Sequence, residues 1–147
     1  SFPTRRSSDL AILLNAGILS DSKKYDEALE AINKYLELDN NNAESYYFKG
    51  LILNDLEKYE EAKDAIFWAI RINPTIAKYY NQMARSFMKL GNFEDALIYA
   101  KEAIEIDQNE LAFKKQAYEI ALKLGDEKKI ELYKNQLKRS EEILKRR

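Results

Sequence analysis

Apolar side chains recur three or four positions apart along most of the chain, with charged residues filling the gaps. Tyr59, Ala62, Ile66, Ala69 and Ile70 form one such stripe, and Glu60, Glu61, Lys63 and Asp64 fall between its members. Tyr46, Gly50 and Leu53 mark a second stripe just upstream. The spacing predicts two amphipathic helices joined by the stretch from Asn54 to Lys58. Asn73-Pro74 stops the second helix, because proline has no N–H to donate and drives the residue before it out of the helical region. The arrangement returns with Tyr80, Met83, Ala84 and Phe87, a Leu90-Gly91-Asn92 turn, then Phe93, Ala96, Ala100, Ala103 and Ile106. Gly91 is expected to supply a left-handed cap between these helices.

The hairpins recur at a fixed offset of 34 residues: Tyr25, Tyr59 and Phe93 are separated by it, as are Ala28, Ala62 and Ala96, then Leu38, Ile72 and Ile106. Gly91 and Gly125 form a further pair, and the acidic doublets Asp26-Glu27, Glu60-Glu61 and Glu94-Asp95 keep the same step. A final hairpin is expected from Leu111 to Lys123, the Leu124-Gly125-Asp126 turn, and a helix running to about Leu144. Its stripe of Ile130, Tyr133, Leu137 and Leu144 is flanked by Lys134, Lys138, Arg139, Glu141, Glu142 and Lys145, which suits a terminal helix whose outer side meets water. Ordering one such block of 34 residues costs on the order of 35–70 kcal/mol in conformational entropy, and one apolar face cannot offset that alone. Stacking against neighbours supplies the rest.

Tyr46, Gly50, Leu53, Tyr59, Ala62, Ala69 and Pro74 resemble the pattern of the tetratricopeptide repeat. Lys49 stands where that family has leucine, Tyr35 replaces the late alanine, and Asn40 and Gln108 replace the terminal proline. The resemblance implies an all-α, right-handed superhelical solenoid of about four helix-turn-helix hairpins, closed by a long C-terminal capping helix. One domain over residues 11–147 is expected, with units near 11–42, 43–76, 77–110 and 111–147, the first with an extra residue around Gly17 to Ser22. In this family the first helices line a concave groove. That implies Tyr47, Leu51 and Asn54 from the second unit, Lys78, Asn81, Gln82, Arg85 and Lys89 from the third, and Lys115, Glu119 and Leu122 from the fourth. The lysine and asparagine clamp that grips chaperone C-termini is not matched, since Leu13, Gly17 and Phe48 stand in its place.

Charge gives the groove a character. The chain of 147 residues carries 24 lysines and arginines against 25 acids, a balance that argues against nucleic acid as the partner. Yet no acid occurs from Ala65 to Phe93, where Arg71, Lys78, Arg85 and Lys89 lie. Two readings follow: a groove that takes an acidic and apolar protein segment, or a solvated charged face. Phe67 and Trp68 flank the buried stripe of their helix, either packed on a neighbouring turn or forming a patch for a weak dimer.

Chemistry narrows in the other direction. With no histidine and no cysteine, imidazole bases, thiol nucleophiles and the commonest zinc ligands are excluded. The acidic doublets open helices, where negative charge complements unpaired N–H groups, so they read as structural rather than catalytic. Isolated glycines make no phosphate-cradling loop, and no apolar run reaches the roughly 20 residues of a membrane span. No enzyme activity, cofactor or metal is expected. Ser1 to Leu10, SFPTRRSSDL, resembles translated sequencing adapter and is set aside; the rival is a natural basic arm. On the adapter reading the native chain extends upstream, and the module either stands free as a scaffold or regulates a neighbouring domain of its own protein.

Overall fold

The computed structural model describes residues 24–147, and within them seven α-helices and no strand. They are α1 (Tyr25–Leu38), α2 (Ala43–Asp55), α3 (Tyr59–Ile72), α4 (Ala77–Lys89), α5 (Phe93–Ile106), α6 (Leu111–Leu124) and α7 (Glu127–Lys145). Ser1 to Leu10, the helix expected from Ala11, and the positions Leu13 and Gly17 lie outside the described residues. The helices fall into two compact bodies divided between Pro74 and Thr75.

The period expected from the sequence is written into the backbone. Lys24, Lys58 and Asn92 precede α1, α3 and α5 with φ, ψ of −93°, 61°; −90°, 65°; and −88°, 70°. Asp39, Asn73 and Asp107 end the same helices in extended conformation. The helices beginning at Tyr25, Tyr59 and Phe93 therefore start and stop alike. Each also opens on its acidic doublet, where carboxylates face unpaired N–H groups.

The hairpin turns are tight because one residue in each goes left-handed: Glu57 (φ 61°), Gly91 (φ 81°) and Gly125 (φ 70°). After α2 and α4 the turn closes with paired bonds, Lys58 N–H to Leu53 O at 2.8 Å and Glu57 N–H to Asn54 O at 3.0 Å, then Asn92 N–H to Phe87 O at 2.9 Å and Gly91 N–H to Met88 O at 3.1 Å. These satisfy carbonyls that a helix end otherwise leaves orphaned.

In the amino-terminal body α2 is covered from two sides. Ile52 packs with Ala28 and Ile32 of α1, joined by Phe48 and Leu56, while Gly50 lies so close to α3 that a Cβ would overlap Ile66 Cγ1. This double cover is why α2 buries Ser45 and Asn54 as well as Ile52 and Leu53. Tyr35 is buried too, and its hydroxyl accepts a bond from Asn42 Nδ2 at 3.1 Å. Asn42 caps α2, its Oδ1 accepting from Ser45 N–H at 2.9 Å. The tyrosine that replaces the family's alanine thus anchors the start of the next hairpin.

In the carboxy-terminal body Ala84, Ala96, Leu97, Ala100, Ala117, Ile120, Ala121 and Tyr133 form one buried cluster. The last stripe departs from expectation at its far end. Tyr133 is buried and Ile130 and Leu137 are half-buried, but Leu144 is 50% exposed. The reason is length: α7 has 19 residues against 14 in α6, and its final turns outrun the helix it packs on. The column Leu38, Ile72 and Ile106 also departs from a core reading, since Leu38 is 62% and Ile106 40% exposed.

Candidate functional site

The groove residues expected in the carboxy-terminal body belong to two neighbouring first helices. On α4, Lys78, Gln82, Arg85 and Lys89 follow one another at helical spacing and share a face. On α6, Lys115, Glu119 and Leu122 do the same and are exposed. Lys78 and Lys89 are exposed, whereas Asn81, Gln82 and Arg85 are half-buried.

A reciprocal amide pair joins these helices beside their apolar contacts, Ala84 with Ala117, Ile120 and Ala121. Asn81 Nδ2 donates to Gln116 Oε1 at 2.7 Å, and Gln116 Nε2 donates to Asn81 O at 3.0 Å. Asn81 was expected to face a guest; the structure shows it holding α6. Gln116 was not singled out, and its signal was faint, since it lies 35 residues after Asn81, one step beyond the repeat. Lower on α4, Ser86 Oγ donates to Gln82 O at 3.2 Å and turns inward, fully buried.

In the amino-terminal body the expected lining differs in accessibility. Leu51 is half-buried, while Tyr47 is 9% and Asn54 1% exposed. Burial, with Glu44 nearby, pushes the Tyr47 phenol above its ordinary value. Phe48 is half-buried and packs with α1 and Ile52.

Phe67 and Trp68 are half-exposed, their rings edge to face at 5.9 Å. The Arg71 guanidinium lies 5.8 Å from the Phe67 centroid, and Tyr46 lies 6.4 Å from Trp68. Beside Trp68 a hollow of about 330 Å³ opens between α2 and α3, lined by Tyr46, Lys49, Leu53, Glu61, Asp64 and Ala65.

The acidic doublets sit where the helix-opening reading puts them. Asp126 caps α7, accepting from Lys129 N–H at 3.2 Å, a bond that with the Lys129 ammonium holds its carboxyl below the usual value. Glu60 pairs with Lys63 at 2.8 Å. Among the described residues no group of three or more carboxylates could hold a metal ion, and no helix is long and apolar enough to cross a membrane.

Family models match two stretches of the chain: residues 2–69 match the anaphase-promoting complex, cyclosome, subunit 3 family, and residues 77–110 match the tetratricopeptide repeat. A search of curated proteins returns no match. Among solved structures, MamA superposes with a TM-score of 0.89 at 20% identity, over 95% of this chain and 81% of that one. YrrB, described as a tetratricopeptide protein with an unusual peptide-binding site, gives 0.78 at 25% identity over 88% and 66%. The first tetratricopeptide domain of Spaghetti (RPAP3), bound to the HSP90 peptide SRMEEVD, gives 0.77 at 19% identity over 80% and 94%. Fold and matches together define an all-α protein of repeated helical hairpins. The chain carries the tetratricopeptide repeat, matched at residues 77–110, and shares the fold of proteins built from it.

Proposed function

We propose that this chain is a protein-interaction scaffold that holds an extended or helical segment of a partner, bearing acidic and apolar side chains, along its first helices. The observation that supports this reading is the Asn81–Gln116 pair, which ties α4, the helix of Lys78, Arg85 and Lys89, to α6, the helix of Lys115 and Glu119. Helix α4 carries no acid, and the positive charge of Lys78, Arg85 and Lys89 favours an anionic guest. The peptide held by the RPAP3 domain mixes methionine and valine with glutamate and aspartate, the same chemistry. In the amino-terminal body, taken by itself, Leu51 is the most accessible of the three residues expected there, Tyr47, Leu51 and Asn54. Phe67 and Trp68 are the surface on which a weak dimer would form, readable as a concentration-dependent sedimentation coefficient.

The test is binding of a fluorescently labelled peptide that alternates glutamate with leucine. Reversing both Lys78→Glu and Arg85→Glu is expected to weaken capture by about tenfold or more, and added salt to weaken it further in the parent protein. Capture that ignores both changes overturns the assignment.

A further inference from the structure

The hollow beside Trp68 exists because of one small residue, and the repeat shows what is missing. Ala65 stands 34 and 68 positions before Tyr99 and Tyr133. In the third hairpin Tyr99 stacks on Phe87 at 5.4 Å and lies 6.4 Å from Tyr80. Phe87 and Tyr80 are the register counterparts of Leu53 and Tyr46, two residues that line the hollow. Tyr133 in the fourth hairpin is buried in the core of its own body. Two hairpins therefore fill this register with their own phenol ring. The first and second have a methyl group there, Ala31 and Ala65, and the second leaves about 330 Å³ open between α2 and α3.

We propose that this hollow receives an aromatic side chain from a partner segment in which lysine or arginine flanks that ring. Space and walls select the ring: Tyr46 and Trp68 offer π-faces, and Leu53 and Ala65 form an apolar floor that is 3% and 5% exposed. Charge selects the flanks. Glu61 and Asp64, both exposed, border the opening against a single ammonium, Lys49. The same helix already holds a cation against an aromatic ring, Arg71 on Phe67, one turn further along. This site lies between α2 and α3 and does not depend on the first-helix face proposed above.

Trp68 is the chain's one tryptophan and reports directly on occupancy. Its emission would be titrated with three blocked pentapeptides: Gly-Lys-Phe-Lys-Gly, the same with alanine for phenylalanine, and the same with glutamates for lysines. The first is expected to change the emission saturably, and the other two to bind about tenfold more weakly. Ala65→Tyr, which copies the third and fourth hairpins, is expected to abolish the response. Should that variant melt without cooperativity, the double variant Glu61→Lys, Asp64→Lys carries the test: both residues are exposed, and the preference between lysine and glutamate peptides should invert. Equal responses to the phenylalanine and alanine peptides overturn the proposal. So does a preference that survives the charge reversal, or undiminished binding to a folded Ala65→Tyr protein. An emission change that follows protein concentration alone, and vanishes in Ala65→Tyr, overturns it in favour of a second copy of the chain.

Discussion

Glu57 has a positive φ of 61° at the register where Gly91 and Gly125 have 81° and 70°. The turn geometry is common to all three hairpins, so the backbone asks the same of a glutamate as of the glycines. A side chain with a Cβ loses about 1–2 kcal/mol in that region, partly offset because glycine leaves the unfolded chain more freedom. Glu57→Gly is therefore expected to stabilise the protein by about 0.5–1 kcal/mol, read as a higher urea midpoint; a lower midpoint would show that Glu57 contributes something the turn does not reveal. The left-handed cap at Gly91 was legible from the sequence, because glycine after a helical stripe has few other uses. The one at Glu57 was hidden behind a residue that normally avoids it. Gln116 was hidden differently, by sitting one step off the period.

Helices α2 and α3 meet through a matched pair of sizes. Gly50 carries no side chain, and the space a methyl would need is taken by Ile66, which is fully buried. One repeat later the same two registers hold Ala84 and Ala100, both buried in one cluster. Gly50→Ala alone is expected to destabilise the amino-terminal body by about 1–3 kcal/mol, the usual range for overpacking. Combining it with Ile66→Ala, which reproduces the third hairpin's pair, should cost less than the two changes summed, and a double-mutant cycle from chemical denaturation measures the difference. Strict additivity would mean the two residues do not share the contact. At this scale the sequence was most readable: the 34-residue step located every described helix, since core alanines and isoleucines cannot leave their register without exposing a stripe. It was least readable at Ala65, whose register holds alanine at Ala31 and a phenol ring at Tyr99 and Tyr133. The exposed end of α7 was missed because a periodic stripe reports which face is apolar, and not how far the neighbouring helix extends.

Across the molecule the response to pH should be flat in the middle and fall at both ends. There is no histidine to titrate near neutrality. The Glu30 carboxyl is lowered by its hydrogen bond from Lys34 and then by that ammonium's charge, and Asp126 is lowered by the Lys129 N–H and then by the Lys129 side chain. A carboxyl held lower in the fold adds stability above its ordinary value and loses it as pH falls through the folded one. Tyr47, Tyr80 and Tyr133 are raised, burial first, with Glu44, Glu102 and Glu105 adding to it respectively. A raised phenol keeps its contribution below the ordinary value of 10.0 and loses it as pH climbs through the folded one. The melting temperature is thus expected to hold level between about pH 5 and pH 9 and to drop on either side. A steep slope across neutrality would contradict it. The shared start and stop angles of α1, α3 and α5 have a further consequence. A block that enters and leaves with the same backbone direction can be copied in tandem by gene duplication without a seam. Array length is then the property this architecture can change most freely, and each copy can drift afterwards at single registers, as Ala65 and Tyr99 already have.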